Sequence, residues 1–210
     1  MEPLGGSGVN RAGNTMTGAT DAELMEQVSA GDHDAFAVIV ERYKDSLVNY
    51  LTHMTGSRDR AEEHAQAAFV RLYESAPRYR EEGKLAPYVF RIATNLARTE
   101  AIRGRLRSLL LLRFWSRHGQ TTEEETPLGE LQRRELEREV AVALESLPVA
   151  YRAAVVLREV EGWSYLEIAR ALDCSEGTVK SRIARGREEL RKRLLPFWNG
   201  VPEREPRRAF

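Results

Sequence analysis

The chain has 210 residues, 42% of them hydrophobic and 30% charged, with a formal net charge of zero. That allows one large or two small domains, and no apolar run approaches the ~20 residues a membrane span requires. One cysteine, Cys174, excludes an internal disulfide and suits a reducing compartment, and no basic segment leads into an apolar core as in a secretory leader.

Residues 1–19 are rich in Gly, Asn and Thr without periodicity and are expected to be disordered. Thr20 with Glu23 forms a capping box, opening a helix with Leu24, Met25 and Val28 inward that stops at Gly31-Asp32. Asp34 is the expected cap of the next helix, where Phe36, Ile39, Val40, Tyr43, Leu47, Tyr50, Leu51 and Met54 share a face as far as Gly56. Ser57 starts a third helix with Ala61, Ala65, Ala68, Phe69 and Leu72 inward and Glu62, Glu63 and Gln66 outward, ended by Pro77. Arg78–Leu85 reads as a loop around Gly83. Pro87 fits the first turn of a fourth helix, with Val89, Phe90, Ile92, Ala93, Leu96, Ala97 and Ile102 on its apolar side.

Beyond it, Leu109–Leu112 with Phe114 and Trp115 is apolar and flanked by arginines. It reads as a helix extension packed on the domain or as a segment docking in a partner's groove, and the second is preferred. Gln120–Gly129 has a linker's composition. Glu130–Leu147 is an expected helix with Leu131, Leu136, Val140, Ala143, Leu144 and Leu147 inward, and Pro148 allows another over Val149–Val160. Gly162 precedes Trp163, and the core of this second unit is expected around Leu157, Trp163 and Ile168. No period-two strand pattern occurs, so the fold class is all-α: two small helical domains joined by a flexible acidic linker.

The most informative stretch is SYLEIARALDCSEGTVKSRIARGREELRKRL, Ser164–Leu194. Ser164 and Glu167 form a second capping box, and Leu166, Ile168, Ala169 and Leu172 an apolar stripe. Asp173-Cys174 breaks the helix, with residue 173 expected in the left-handed region that Asp tolerates. Ser175 can cap a basic helix whose inner face is Val179, Ile183, Gly186 and Leu190, and whose outer face is Gly177, Thr178, Ser181 and Arg185, flanked by Lys180 and Arg182. Two short helices, a tight turn and a basic second helix make a helix-turn-helix, the geometry for major-groove insertion. Residues 196–210 read as a mobile tail whose Phe197 and Trp198 can pack back on the domain.

Zero net charge conceals segregation. Arg78–Arg117 holds ten basic residues against three glutamates, Glu123–Glu145 eight glutamates against three arginines, and Lys180–Arg193 seven cations against two acids. Two basic blocks around an acidic one suggest two nucleic-acid contacts and a spacer that avoids phosphates. An enzyme is not expected: no nucleophile–base set, P-loop or dinucleotide glycine pattern occurs, and His33, His53, His64 and His118 lack metal-ligand spacing. No cofactor or metal is expected.

The segments DAELMEQVSAGDHDAFAVIVERYKDSLVNYLTHMTG, RAEEHAQAAFVRLYE and YVFRIATNLART, followed by ALESLPVAYRAAVVLREVEGWSYLEIARALDCSEGTVKSRIARGREELRKRL, resemble in order and spacing a bacterial RNA polymerase sigma factor of the extracytoplasmic-function type, over about residues 20–195. SEGTVK alone also resembles the DNA-binding domain of LuxR-type regulators. The resemblance implies a non-enzymatic subunit that gives the polymerase promoter specificity. It divides the chain into an N-terminal extension (1–19), a domain binding core polymerase and the −10 element (20–106), a linker (107–129), a helix-turn-helix domain binding the −35 element (130–195) and a tail (196–210).

It further implies that Glu62, Glu63, Gln66 and Phe69 meet the clamp of the largest polymerase subunit. Arg78, Tyr79, Arg80, Lys84, Tyr88, Arg91, Asn95 and Arg98 would bind the −10 element, with Tyr79 the better stacking candidate and Phe90 core. Ser175, Glu176, Thr178, Lys180, Ser181, Arg182 and Arg185 would bind the −35 element, whereas Arg187, Arg191 and Lys192 read as nonspecific or solvated charges. An anti-sigma factor, promoter DNA and core polymerase are the implied partners, with no stable homo-oligomer, and the implied location is cytoplasmic, at the nucleoid or held at the membrane by the anti-sigma factor. Tyr88, Thr99 and His64-Ala65 depart from the family's usual tryptophan, acidic residue and acidic–aliphatic pair. The alternatives are a stand-alone helix-turn-helix regulator with a helical sensing or dimerising half, or a degenerate relative acting mainly as a binding partner.

Overall fold

The computed structural model describes residues 18–80, 84–111 and 128–198, with backbone alone over 103–111, 128–134 and at 198. Residues 1–17 of the N-terminal extension, most of the linker, Phe114, Trp115, His118 and the tail beyond 198 lie outside the described residues. Within them the structure is helical, without strands, and no helix is long and apolar enough to cross a membrane.

The N-terminal half is α1 (Asp21–Ser29), α2 (His33–Thr55), α3 (Arg58–Ser75), a 3-10 turn (Ala76–Arg78) and α4 (Leu85–Leu111). Thr20 and Glu23 make the expected capping box, each side chain accepting from the other's backbone N–H. At α2 the cap is Asp32 rather than Asp34: its Oδ1 accepts from the N–H groups of Asp34 and Ala35 at 2.8 and 3.1 Å. Gly56 closes α2 in the left-handed conformation, φ 68°, and Ser57 caps α3. The core of this half joins Leu24, Ile39, Leu47, Tyr50, Leu72, Leu85 and Phe90, all essentially inaccessible. The Tyr50 hydroxyl meets Thr94 Oγ1 at 2.8 Å, and Thr94 donates to the Phe90 carbonyl at 2.7 Å. Ile102, expected inward, is exposed, so the buried face of α4 stops short of it. The helix continues to Leu111, so residues 107–111 extend α4 rather than begin the linker.

The C-terminal half is α5 (Leu128–Ser146), α6 (Val149–Glu159), α7 (Tyr165–Ala171) and α8 (Glu176–Trp198). Leu157, Ile168 and Ile183 are fully buried. Leu136 and Leu166, expected inward, are exposed, so the buried faces of α5 and α7 are narrower than the stripes suggest. Helix α8 runs through Pro196, so the first residues of the expected tail are helical. Gly186 is buried where α8 crosses α6, and a Cβ there would stand 2.6 Å from Val155 Cγ2. Val155 is buried and branched, so it cannot swing aside. Gly186→Ala is therefore expected to lose about 1 kcal/mol net, overpacking outweighing the better helix propensity, as urea unfolding will show.

The two halves touch, which the sequence did not suggest. Helices α5 and α6 lie against α2, and α7 against α4. Trp163, expected in the second core, faces Phe90 across the junction with ring centroids 4.7 Å apart. The buried Arg152 guanidinium donates to the Met54 carbonyl at the end of α2 and to the Glu145 and Leu147 carbonyls at the end of α5.

Candidate nucleic-acid and polymerase interfaces

The helix-turn-helix is built by α7 and α8. Ser164 Oγ accepts from Glu167 N–H, and the Glu167 carboxylate accepts from Ser164 N–H at 3.0 Å. The Ser164 backbone and side-chain hydrogen bonds, with that from Lys84, hold the Glu167 carboxyl at about 2. A carboxyl held low confers stability that is complete above its ordinary range near 4.5 and lost as pH falls toward 2. Ser164→Ala is expected to cost about 1 kcal/mol at neutral pH, and the gap from wild type should narrow as unfolding is followed from pH 6 to pH 3. Asp173 takes φ 48°, the left-handed turn anticipated for it, and Ser175 Oγ accepts from Thr178 N–H at 3.2 Å to start α8.

On α8, Val179, Ile183 and Gly186 are buried while Ser175, Glu176, Lys180, Ser181 and Arg185 are exposed. Thr178 and Arg182 are half-buried. Each cation on this face is steered by a neutral group: Lys180 Nζ lies 5.5 Å from the Tyr165 ring centroid, Arg182 Nη1 donates to Cys174 Sγ at 3.4 Å, and Arg185 Nη1 donates to the Tyr151 hydroxyl at 3.3 Å. None of the three has a carboxylate in ion-pair reach among the described residues. Further along, Arg187 pairs with Glu159, and Arg191 and Lys192 with Glu188. The helix therefore carries unpaired positive charge at Lys180, Arg182 and Arg185 and paired charge at Arg187, Arg191 and Lys192.

A second basic surface joins the 3-10 turn to α4. Tyr88, Arg91, Asn95 and Arg98 recur at i, i+3, i+7 and i+10 and so share a face of α4. The Tyr79 ring meets that of Tyr88 at 5.2 Å, and the Arg91 guanidinium lies 5.1 Å over Tyr88. Arg78, Arg80, Asn95 and Arg98 are exposed, and Phe90 is core. Beside them Ala22, Met25, Glu26, Ser29, Tyr79 and Arg80 line a hollow between α1 and the 3-10 turn. Lys84 differs from its neighbours: Nζ is 3.0 Å from Glu167 Oε1 of the other half.

On α3, Glu62, Glu63 and Gln66 are exposed, with Glu62 paired to Arg58 at 2.8 Å. Phe69, expected inward by periodicity and as the aromatic anchor of this face by the resemblance, is 7% exposed and belongs to the core with Ala61, Ala65, Ala68 and Leu72. The apolar residue the face does offer is Val70, 51% exposed. Its spacing of four and eight residues from Gln66 and Glu62 puts it on their face of α3.

Residues 39–107 match the family description "Sigma-70 region 2" and residues 137–190 match "Sigma-70, region 4". The chain is 34% identical over 184 residues to the ECF RNA polymerase sigma-E factor of Haemophilus influenzae, covering 85% of this chain and 97% of the relative. To the RNA polymerase sigma-H factor of Pseudomonas aeruginosa it is 32% identical over 188 residues, covering 87% and 97%. Among solved structures, that of CnrH in complex with the cytosolic domain of CnrY aligns with TM-score 0.63 and 25% identity, over 85% of this chain and 99% of that one. The sigma factor RpoE bound to the anti-sigma factor NepR from Bartonella quintana shares the fold, with TM-score 0.58 and 21% identity over 76% and 96%.

Proposed function

This chain belongs to the extracytoplasmic-function (ECF) family of RNA polymerase sigma factors, and from that premise we propose how its surfaces divide the work. It acts without catalysis of its own, as the polymerase subunit that selects promoters. The unit 20–106 binds core polymerase through the outward face of α3, where Glu62, Glu63, Gln66 and Val70 present acid, amide and one apolar contact to a basic partner helix. Phe69 supports that face from beneath.

The same unit takes the −10 element. Opening a duplex needs an aromatic surface for an unstacked base and cations along the backbone. The Tyr79–Tyr88–Arg91 cluster supplies the first, with the hollow beside Tyr79 as the space for a base, and Arg78, Arg80, Asn95 and Arg98 the second. The unit 130–195 reads the −35 element with the first turns of α8, where Ser175, Glu176, Thr178 and Ser181 stand among Lys180, Arg182 and Arg185. Residues 112–127, between α4 and α5, join the two. CnrH and RpoE are seen bound to CnrY and to an anti-sigma factor, and a partner of that kind is proposed for this chain, which is then cytoplasmic unless that partner holds it at a membrane.

The observation that carries this reading is the unneutralised cation set on α8 beside neutralised charges further along the same helix. Run-off transcription with purified core polymerase tests it: a product that starts at one site and requires this chain is expected. Promoter binding in gel shift that needs no core enzyme, by a dimer on paired half-sites, would instead establish a stand-alone regulator.

A further inference from the structure

We propose that the hollow beside Tyr79 is a guanine-reading pocket, in which Glu26 and Arg80 together select the unstacked base of the −10 element. This deepens the −10 reading above and rests on it.

Two elements build the hollow. Ala22, Met25, Glu26 and Ser29 recur at i, i+3, i+4 and i+7, so α1 turns one face to the space. Tyr79 and Arg80, just past the 3-10 turn, close it from the other side. Buried Met25 and the half-buried Tyr79 ring give it apolar walls suited to the flat face of a base. At about 510 Å³ the space has room for a purine.

Glu26 is out of place on a DNA-binding surface unless it makes a specific contact. Arg78 and Arg98 nearby attract phosphates, and a carboxylate among them repels the same backbone. Neither Glu26 nor Arg80 is in ion-pair reach of an opposite charge, each other included, among the described residues. Nor does Glu26 cap its helix, since that box belongs to Thr20 and Glu23. Both side chains are exposed. A carboxylate and a guanidinium thus line one space with their hydrogen-bonding capacity unused.

A carboxylate offers only acceptors and a guanidinium only donors, so the pair defines the edge it fits. A base taken out of the duplex presents its Watson–Crick edge. Guanine alone puts two N–H donors side by side there, at N1 and N2, next to an acceptor at O6. The two oxygens of Glu26 match the donors as a bidentate pair, and Arg80 donates to O6. Adenine and cytosine offer one amino donor beside an accepting ring nitrogen, whose lone pair would face the second carboxylate oxygen. Thymine offers one donor between two acceptors. The Ser29 hydroxyl both donates and accepts, so it adds no preference.

The test is initiation by core polymerase with the full chain on a promoter library randomised across the −10 region, each member identified by a barcode in its transcript. Wild type should favour guanine at one position over every other base by about tenfold or more. A synthetic promoter with inosine there, which lacks the 2-amino group, should lose about three- to tenfold. Glu26→Gln replaces one acceptor by a donor, so the preference at that position should move to adenine or cytosine, whose donor and acceptor an amide matches. Glu26→Ala should flatten the preference there and leave other positions as they were. Both variants suit an exposed helical site, so folding is not at stake. A purely structural role for Glu26 would lower initiation equally for all four bases, and that result overturns the proposal. So does a library in which no position favours guanine, or a preference that survives both variants. If no member yields a product that requires this chain, the sigma-factor reading falls and the proposal with it; a product whose base preferences ignore Glu26 ends the proposal alone.

Discussion

Replacing Arg152 with alanine is expected to destabilise the protein by about 3–5 kcal/mol. The guanidinium is 7% exposed and lies where the ends of α2 and α5 converge, donating to the Met54, Glu145 and Leu147 carbonyls. These are groups at helix ends, which lack intrahelical partners and need one from elsewhere. A buried carbonyl left unsatisfied costs about 1–3 kcal/mol, so losing two or three such bonds together accounts for the magnitude. Arg152→Lys keeps the charge but not the planar fork, and should recover less than half of the loss. In urea unfolding the midpoint falls while the slope is unchanged. A loss within about 1 kcal/mol of zero would mean that water satisfies the junction without the arginine.

The second large effect is on promoter use. Changing Lys180, Arg182 and Arg185 together to glutamine should lower promoter-specific initiation at least a hundredfold while binding of core polymerase is retained. One bidentate contact with a base edge is worth about 1–3 kcal/mol of discrimination. Two such contacts of about 1.4 kcal/mol each, acting additively, reach the hundredfold level. If all three cations instead lie on phosphates, the salt dependence of promoter binding should lose about 0.9 of slope for each, nearly three in total. The two roles thus separate in one titration: base readers change sequence preference, and phosphate contacts change the slope. Arg187, Arg191 and Lys192 provide the control. Their charges are answered by Glu159, Glu188 and Glu189, and the same substitution there should change initiation less than threefold, in keeping with exposed pairs worth under about 1 kcal/mol.

Local chemistry made much of this fold legible in advance. The Thr20–Glu23 and Ser164–Glu167 boxes need only residues three apart, and both form as read. Asp173 was identifiable as the left-handed residue because a helix had to stop and another begin within a few positions. Stripes gave the helices but overstated their buried width, so Ile102, Leu136 and Leu166 came out exposed. Asp32 displaced Asp34 as a cap because either satisfies the same pattern and one register decides between them.

What periodicity cannot supply is the partner of a face. Trp163 was recognisable as a packing residue, but Phe90 as its neighbour was not, since nothing local links the two. Arg152 carried a signal that went unused: one cation inside VAYRAAVVL, a run otherwise buried from Ala153 to Leu157, implies a guanidinium with specific work inside. On α3, two readings of Phe69 compete: periodicity puts it inward with Ala65, Ala68 and Leu72, while the resemblance implies an anchor on the acidic face. Its burial decides for the first.

The hydroxyl pair in the first core has a consequence of its own. Thr94 spends its one proton on the Phe90 carbonyl, so Tyr50 must point its proton at Thr94. A phenolate there would set two oxygen lone pairs against each other in a dry space, and burial already drives its ionisation far up. In an alkaline titration watched by ultraviolet absorbance, Tyr50 should stay silent while exposed phenols ionise, then change at the moment the N-terminal half comes apart. The protein thus contains its own optical gauge of whether that half is still folded.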